Sequence, residues 1–348
     1  MKYKVGDVVK VRRILLKSMK ELNYEKVFNT LVEETKKYLL DNNLKAMILG
    51  ISGGIDSTVT AAICYEVSKQ TGIPLIGRSL PIKNKEGEFN TSTLVGEAFC
   101  NNFKICYLEE SYNKVLGNIV SFEELVDEFG NPVASRKQTP IANGNIQARL
   151  RMIYLYNLAY YYKGLVMSTD NQTEYQLGFW TIHGDVGDFD PLQDLWKTEV
   201  YELASYIHDR EMDTTAEYLA NKYADTAITE EIQLDMAKVI SDSILRCKAI
   251  EASMSLTPTD GLGISNSDLE QIGAKSYEEV DKILQDFLAY DDIYSTNSKE
   301  FNIKNYLKYN NALYDIEPDV IKKVLDRHLK SEFKRKKAPI YIERNKYE

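Results

Sequence analysis

Cysteine and histidine are scarce in this chain, and their scarcity sets its first limits. Its 348 residues include four cysteines and three histidines. Cys64, Cys100, Cys106 and Cys247 form no CxxC pair and no metal-ligand spacing, so a thiolate metal centre is excluded. Reduced, structural thiols are expected, and with them a cytoplasmic setting. The histidines are scattered, which removes a His-rich metal site. No apolar run approaches the roughly 18 residues needed to span a bilayer. The N-terminal stretch MKYKVGDVVKVRRILLKS is basic but lacks a long apolar centre and a cleavage-like site, so it does not read as a secretory signal. Excess positive charge is missing as well. A net charge of −9 gives no general attraction to nucleic acid. No internal repeat or low-complexity linker interrupts the chain.

What is present is ordinary globular material. Hydrophobic residues make up 44% and charged residues 27%, enough for a real core at this length. An amphipathic helix is expected over 24–45, leading into a buried strand from Ala46 to Gly50. Helical spacing follows from Thr58 to Ser68, then a second strand from Ile73 to Leu80. A helix over Asn90–Asn101, a third strand at Lys104–Leu108, a long helix over Asn143–Lys163 and a fourth strand at Leu165–Ser168 complete the alternation. Strands alternating with helices predict an α/β fold, a doubly wound parallel sheet with helices on both faces. Further on, 205–255 reads as helical and polar, and helices are expected over 276–288 and 316–331. The tyrosines of the long helix (Tyr154, Tyr156, Tyr160, Tyr161 and Tyr162) lie among Leu, Ile and Ala. That setting suits a core or a subunit interface better than a base-stacking platform.

The turn after the first strand carries the chemistry. Gly50-Ile51-Ser52-Gly53-Gly54-Ile55-Asp56-Ser57 joins a strand to a helix start, where unpaired backbone N–H groups and the helix dipole favour an anion. Gly53 and Gly54 let the backbone approach a phosphate, and Ser52 and Ser57 add hydroxyl donors. Asp56 would repel a phosphate unless Mg²⁺ lay between them. A nucleotide site that needs a metal is therefore expected at the carboxyl ends of the strands, where Ser168-Thr169-Asp170 also falls. The turn is not a Walker loop, because it lacks the GK[ST] ending. It resembles the PP-loop of the ATP pyrophosphatases, which split ATP between the α and β phosphates. That likeness leaves the substrate open.

Later segments narrow it. GNIQARLRM begins at Gly144, and STDNQTEYQLGFWTIHGDVGDFDPLQDLWKTEV runs from Ser168 to Val200. Pro258-Thr259-Asp260-Gly261-Leu262, LGISNSDLEQIGAKSYEEVDKIL and Ser331-Glu332-Phe333-Lys334-Arg335 follow in order. Together, from about residue 25 to 340, these segments resemble the ammonia-dependent NAD synthetases. The resemblance implies one synthetase-like domain over 1–348, with 1–23 as an N-terminal extension, 205–255 as a helical insertion and 332–348 as a basic C-terminal loop and tail. It implies adenylation of the nicotinate carboxylate of nicotinic acid adenine dinucleotide by ATP, then displacement of AMP by ammonia. It assigns Gly50, Ser52, Gly53, Gly54, Asp56, Ser57, Arg78, Thr169, Lys197 and Thr259 to ATP, and Asp56 and Glu174 to Mg²⁺. Asn145, Arg149, Phe179, Asp188, Lys334 and Arg335 fall to the dinucleotide. Asp56, Asp185 and Lys197 carry the chemistry, Asp185 by holding the incoming nitrogen. Arg149 and Arg151 lie two apart on a helix and so point about 200° apart. Arg149 is the better substrate ligand by position.

Three departures from the family pattern stand out. Ser79 replaces an Arg before Leu80-Pro81, with Arg78 one position earlier. Ile182 replaces a Lys seen in some relatives, and the interval from Asp185 to Pro191 is one residue shorter. Family members are homodimers, so a homodimer is expected. Glutamine-dependent relatives carry a nitrilase-like domain first, and the roughly 45 residues before the loop strand are too few for one. Free ammonia or a separate glutaminase subunit is the expected nitrogen source, with no nucleic acid or membrane partner. Two other readings remain at this point. One is another PP-loop adenylating enzyme, such as a tRNA-modifying one; the other is a nucleotide-binding relative without catalysis.

Overall fold

Four short parallel strands organise the chain, and one glycine-rich turn occupies their common carboxyl edge. A computed structural model describes residues 22–83, 86–122, 140–224, 226, 228–258, 267–294, 306–307 and 316–335. Thr259, residues 1–21 of the expected extension and the tail from 336 lie outside the described residues. Helix α1 (Tyr24–Asp41) starts at Asn23, whose side chain accepts from Lys26 N, and it buries Phe28, Val32, Thr35 and Leu39. Strand β1 (Met47–Gly50) leads through the turn into α2 (Ile55–Thr71), which ends on Gly72 in the left-handed region. Then come β2 (Leu75–Ser79), α3 (Glu86–Phe99), β3 (Asn102–Ile105) and α4 (Glu109–Phe122). Helix α5 (Pro140–Tyr162), β4 (Leu165–Val166) and the short α6 (Gln172–Leu177) follow.

The strand order is β3-β2-β1-β4, with all pairings parallel. The chain winds outward from β1 to β3 and then returns to the other side of β1. This reversal between β1 and β4 opens a crevice at their carboxyl ends, where ligands bind in such sheets. Both faces are covered, as expected. Met47, Leu49 and Leu75 face a layer built from α1, α2, α3 and the later helices α7 (Lys197–Tyr223) and α8 (Glu230–Ser255). Ile48 and Ile76 face Tyr112 of α4 and Met152, Leu155 and Ala159 of α5. A separate apolar cluster joins Leu177 of α6 to α10 (Tyr277–Tyr294) and α11 (Pro318–Lys330) through Val280, Ile283, Leu284, Phe287, Val324 and Leu325. The short α9 (Asp268–Ile272) precedes α10, and α12 (Glu332–Arg335) follows α11.

Several boundaries differ from expectation. The third strand begins two residues earlier, because Asn102 pairs with Ile76 at the sheet edge and Leu75 N donates to Asn101 Oδ1. Helices α4 and α6 fell outside the sequence reading. The polar stretch 205–255 is an antiparallel helix pair whose base, through Ile207, Ala249 and Ile250, belongs to the main core. On α5, Tyr160 and Tyr161 are exposed, at 90% and 76%, so the tyrosine row does not enter the core as a whole.

The turn itself is held by close backbone packing. Gly53 has φ +88°, and a Cβ placed on it would lie 2.7 Å from Ser92 N and 3.0 Å from Glu88 O of α3. Gly72 has φ +74° but nothing within 4 Å of such a Cβ. Gly72→Ala should therefore cost only the conformational penalty, about 1 kcal/mol, whereas Gly53→Ala adds a backbone clash and should cost about 2–4 kcal/mol. Urea unfolding of both variants measures the difference, and equal losses would refute the close-packing account.

Candidate active site

One ammonium and two carboxylates meet beside the glycine-rich turn. Gly54 starts α2 without a side-chain cap, so the first-turn N–H groups face the turn. Gly54 N donates to Ser52 Oγ at 3.2 Å, and Ser57 and Thr58 hydroxyls donate back to Gly54 O. This bonding fixes the turn's shape around the helix start. Asp56 sits in the first turn of α2. Its Oδ1 accepts from Asn171 Nδ2 at 2.8 Å, and its Oδ2 accepts a close bond from Lys197 Nζ. Lys197 Nζ also donates to Glu174 Oε1 at 3.0 Å.

Each partner is aimed by its own helix start. Asn171 caps α6, accepting from Glu174 N, while Glu174 Oε2 accepts from Asn171 N. This capping box holds Glu174 in place while its other oxygen reaches Lys197. Lys197 is the first residue of α7 and is 1% exposed. A cation at a helix N-terminus opposes the dipole, and the two carboxylates offset that cost.

The electrostatics follow from two acids sharing one base. Burial, with Lys197 opposing and Asp56 adding, pushes Glu174 up to about 8. Burial also disfavours the charged Lys197, but Asp56 and then Glu174 outweigh it and hold its ammonium form firmly. Asp170, bonded by Ser168 Oγ at 2.9 Å, is pushed up by burial and by Asp185, Asp190 and Glu174. Burial pushes Asp190 to about 7; its Oδ1 accepts from Leu192 N, and its Oδ2 is buried without a partner. Asp185 is exposed, so the desolvation that draws it up toward about 6 is screened by solvent. Thr181 N donates to it at 2.7 Å, and Lys334 and Arg149 draw it downward.

Most of the residues named from sequence converge here, and some do not. Gly50, Ser52, Gly53, Gly54, Asp56, Ser57, Thr169, Glu174 and Lys197 lie at one sheet edge. Asn145 Oδ1 accepts from Thr181 Oγ1, and the exposed Arg149 donates to Ile182 O at 3.0 Å, so both border Asp185. Lys334 reaches the same edge, donating to the carbonyls of Gly178 and Trp180. Arg335 is instead committed to Gln176 O, Ser331 Oγ and His328 O. Phe179 packs beneath Arg327, whose guanidinium lies 3.7 Å from the ring centroid. Asp188 ties β4 to α5 by accepting from Val166 N and Tyr156 OH. Arg78 is 3% exposed and donates to Gly77 O, Asn102 O and Asn102 Oδ1. It faces the α5 layer, because strand alternation sends Ser79 toward Ser92 of α3 and Arg78 the opposite way. Arg151, passed over in favour of Arg149, donates to Leu80 O at 3.0 Å and feels Glu88 and Asp185. Asn171 was missed too, although an Asn three residues before a Glu is the signature of the box that aims both.

Comparison with known proteins adds the ancestry. The family model described as NAD synthase matches residues 27–338. An "NH(3)-dependent NAD(+) synthetase" of Finegoldia magna is 33% identical over 187 residues, covering 53% of this chain and 70% of that protein. One of the same description from Helicobacter pylori J99 is 33% identical over 190 residues, covering 53% of this chain and 65% of that protein. Among solved structures, the NMN synthetase from Francisella tularensis aligns with a TM-score of 0.63 at 21% identity, over 92% of this chain and 99% of that one. At that identity the likeness speaks to the fold.

The crowded acids predict an unusual pH response. A carboxylate whose folded pKa lies above its ordinary value of about 4 binds protons more tightly in the folded state. Glu174 at about 8 and Asp190 at about 7 therefore destabilise the ligand-free fold at high pH and relieve it as pH falls through those values. The melting temperature should rise as pH is lowered from 8.5 toward 5.5. Asp190→Asn should raise it at pH 8.5 and leave it nearly unchanged at pH 5.5. Thermal scans across pH measure both, and a variant whose gain is independent of pH would overturn the assignment.

Proposed function

The chain belongs to the NAD synthase family, and from that premise we propose that it is an ammonia-dependent NAD⁺ synthetase, a ligase that adenylates nicotinic acid adenine dinucleotide with ATP. The observation that carries this reading is the meeting of Asp56, Glu174 and Lys197 at the phosphate-binding turn. A carboxylate anion resists attack by ammonia, so it must first be activated. The nicotinate carboxylate attacks the α phosphorus of ATP, the α–β phosphoanhydride bond breaks and pyrophosphate leaves. Ammonia then attacks the acyl carbon and AMP departs as amide forms.

The residues divide this work. The turn's N–H groups and the hydroxyls of Ser52 and Ser57 cradle the phosphates, and Lys197 supplies fixed positive charge against their developing charge. Asp56 and Glu174 would hold Mg²⁺. Their donor chemistry fits: two carboxylates share one ammonium, and burial leaves Glu174 reluctant to ionise without further positive charge. Among the described residues no group of three or more His, Cys, Asp or Glu is arranged to hold a metal ion. The remaining ligands would accordingly be phosphate oxygens and water, as Mg²⁺ prefers. Bound there, the ion would neutralise and polarise the phosphates. Asp185 at the crevice mouth holds the incoming nitrogen and takes up its proton, while Arg149, Asn145 and Lys334 border the dinucleotide.

Nitrogen comes from free ammonia or from a separate glutaminase subunit. The partner surface is the outer face of α5, where Ile153, Tyr156 and Tyr160 are exposed at spacings of one and two turns. Such a face suits a homodimer. No helix among the described residues is long and apolar enough to cross a membrane.

Pure protein given Mg-ATP, ammonium and nicotinic acid adenine dinucleotide should release AMP and NAD⁺ in equal amounts, with AMP release dependent on the dinucleotide. Absence of both products under conditions where a known synthetase works would sink the proposal. Asp56→Asn should cut AMP release by about 100-fold or more while the circular dichroism spectrum is kept. Light scattering should give twice the chain mass, and Ile153→Asp should reduce it; a monomer in the unmodified protein would disprove the α5 interface.

A further inference from the structure

The geometry points to Asp281 as the positioning residue that aims Lys197 and Glu174 at the phosphate-binding turn, acting through Thr173. Asp281 lies on α10, in the apolar cluster apart from the sheet, and is 2% exposed. Its Oδ1 accepts from Thr173 Oγ1, and its Oδ2 accepts from Thr198 N at 3.0 Å. Thr173 Oγ1 in turn accepts from Lys197 N at 2.9 Å. Thr173 immediately precedes Glu174, and Thr198 immediately follows Lys197. One buried carboxylate thus clamps the backbone beside both members of the ion pair.

The arrangement answers a local deficiency. The first N–H groups of α7 have no partner within their own helix, and Trp196 offers no capping oxygen. Thr173 Oγ1 and Asp281 Oδ2 take the N–H groups of Lys197 and Thr198, so a remote helix supplies the missing cap. Its negative charge also suits the positive end of the α7 dipole. One turn before Asp281 on α10, Tyr277 places its ring centroid 5.7 Å from Lys197 Nζ. Helix α10 therefore holds the backbone directly at Thr198 N, reaches Lys197 N through Thr173, and contacts Lys197 again at its ammonium. A side chain that must meet two carboxylates at once tolerates little rotation of its Cα, so loss of the clamp degrades both contacts together.

This inference rests on the proposed function for its activity measurements but not for its structural one. Full-length protein is methylated reductively with formaldehyde, and the labelling of each lysine is read by peptide mass spectrometry. Lys197 should resist labelling while exposed lysines such as Lys114 react. In Thr173→Val and Asp281→Asn, Lys197 should label at least about tenfold faster. Their kcat should fall by about 10–100-fold, the range usual for groups that orient a ligand set, with KM for the dinucleotide within about twofold. Thr173→Ser, which keeps the hydroxyl, should restore both protection and kcat. Unchanged protection and unchanged kcat in Thr173→Val would overturn the proposal, as would failure of Thr173→Ser to rescue. If Asp281→Asn does not fold, the two Thr173 variants decide alone. If no variant and no unmodified protein makes NAD⁺, the labelling still decides the clamp.

Discussion

A single ammonium held between two carboxylates is the constraint around which the rest of the structure is arranged. Lys197, Asp56 and Glu174 come from three helices that share no sequence neighbourhood, and each is aimed by a different device. Asp56 rides in the first turn of α2, Glu174 is fixed by the Asn171 box, and Lys197 is the first residue of α7. Bringing charges out of water costs several kcal/mol per ion, and only good geometry with further hydrogen bonds offsets it. Asn171 supplies one of those bonds to Asp56. The buried trio contributes little net stability by this reasoning; what it specifies is the relative placement of three helix starts.

The same reasoning explains why the molecule carries a second apolar cluster. Helices α10 and α11 add no strand to the sheet and pack in a cluster of their own. Their packing through Val280, Ile283, Leu284 and Phe287 makes α10 a rigid rod, and that rod presents Tyr277 and Asp281 to α6 and α7. Positioning by elements held in their own core is more accurate than positioning by a loop, because side chains packed at crystal-like density transmit displacement with little slack.

Much of this was legible in the sequence, and the failures have physical causes. The four strands and the glycine-rich turn between β1 and α2 were readable because buried strands and glycine turns are local signals. The acid partner Glu174 was readable only through a resemblance, since nothing local says which remote carboxylate will meet Asp56. Arg78 shows the opposite case. A shift of one residue along a strand appears minor in the sequence, yet the period-two pleat sends the guanidinium to the other face, where it bonds to Asn102. The amphipathic α4 went unnoticed because it follows a weakly apolar edge strand. Asp281 falls within the SYEEVDKIL run, but its partners Thr173 and Thr198 are more than eighty residues away in the chain.

The charge balance of the crevice then ties stability to function. Asp170, Glu174 and Asp190 are all held above the ordinary carboxylate range, and burial is the leading cause for each. A fold optimised for stability alone would replace at least the buried, unpartnered Asp190 oxygen with a neutral group. The excess negative charge has an opposite value when cations arrive. A cation reaching Asp170, Glu174 or Asp190 would meet carboxyls that burial holds toward their neutral form. A cation bound there and not to the unfolded chain would favour the fold by mass action. The cost of the crowded carboxyls to the fold and their attraction for cations are therefore the same electrostatic quantity.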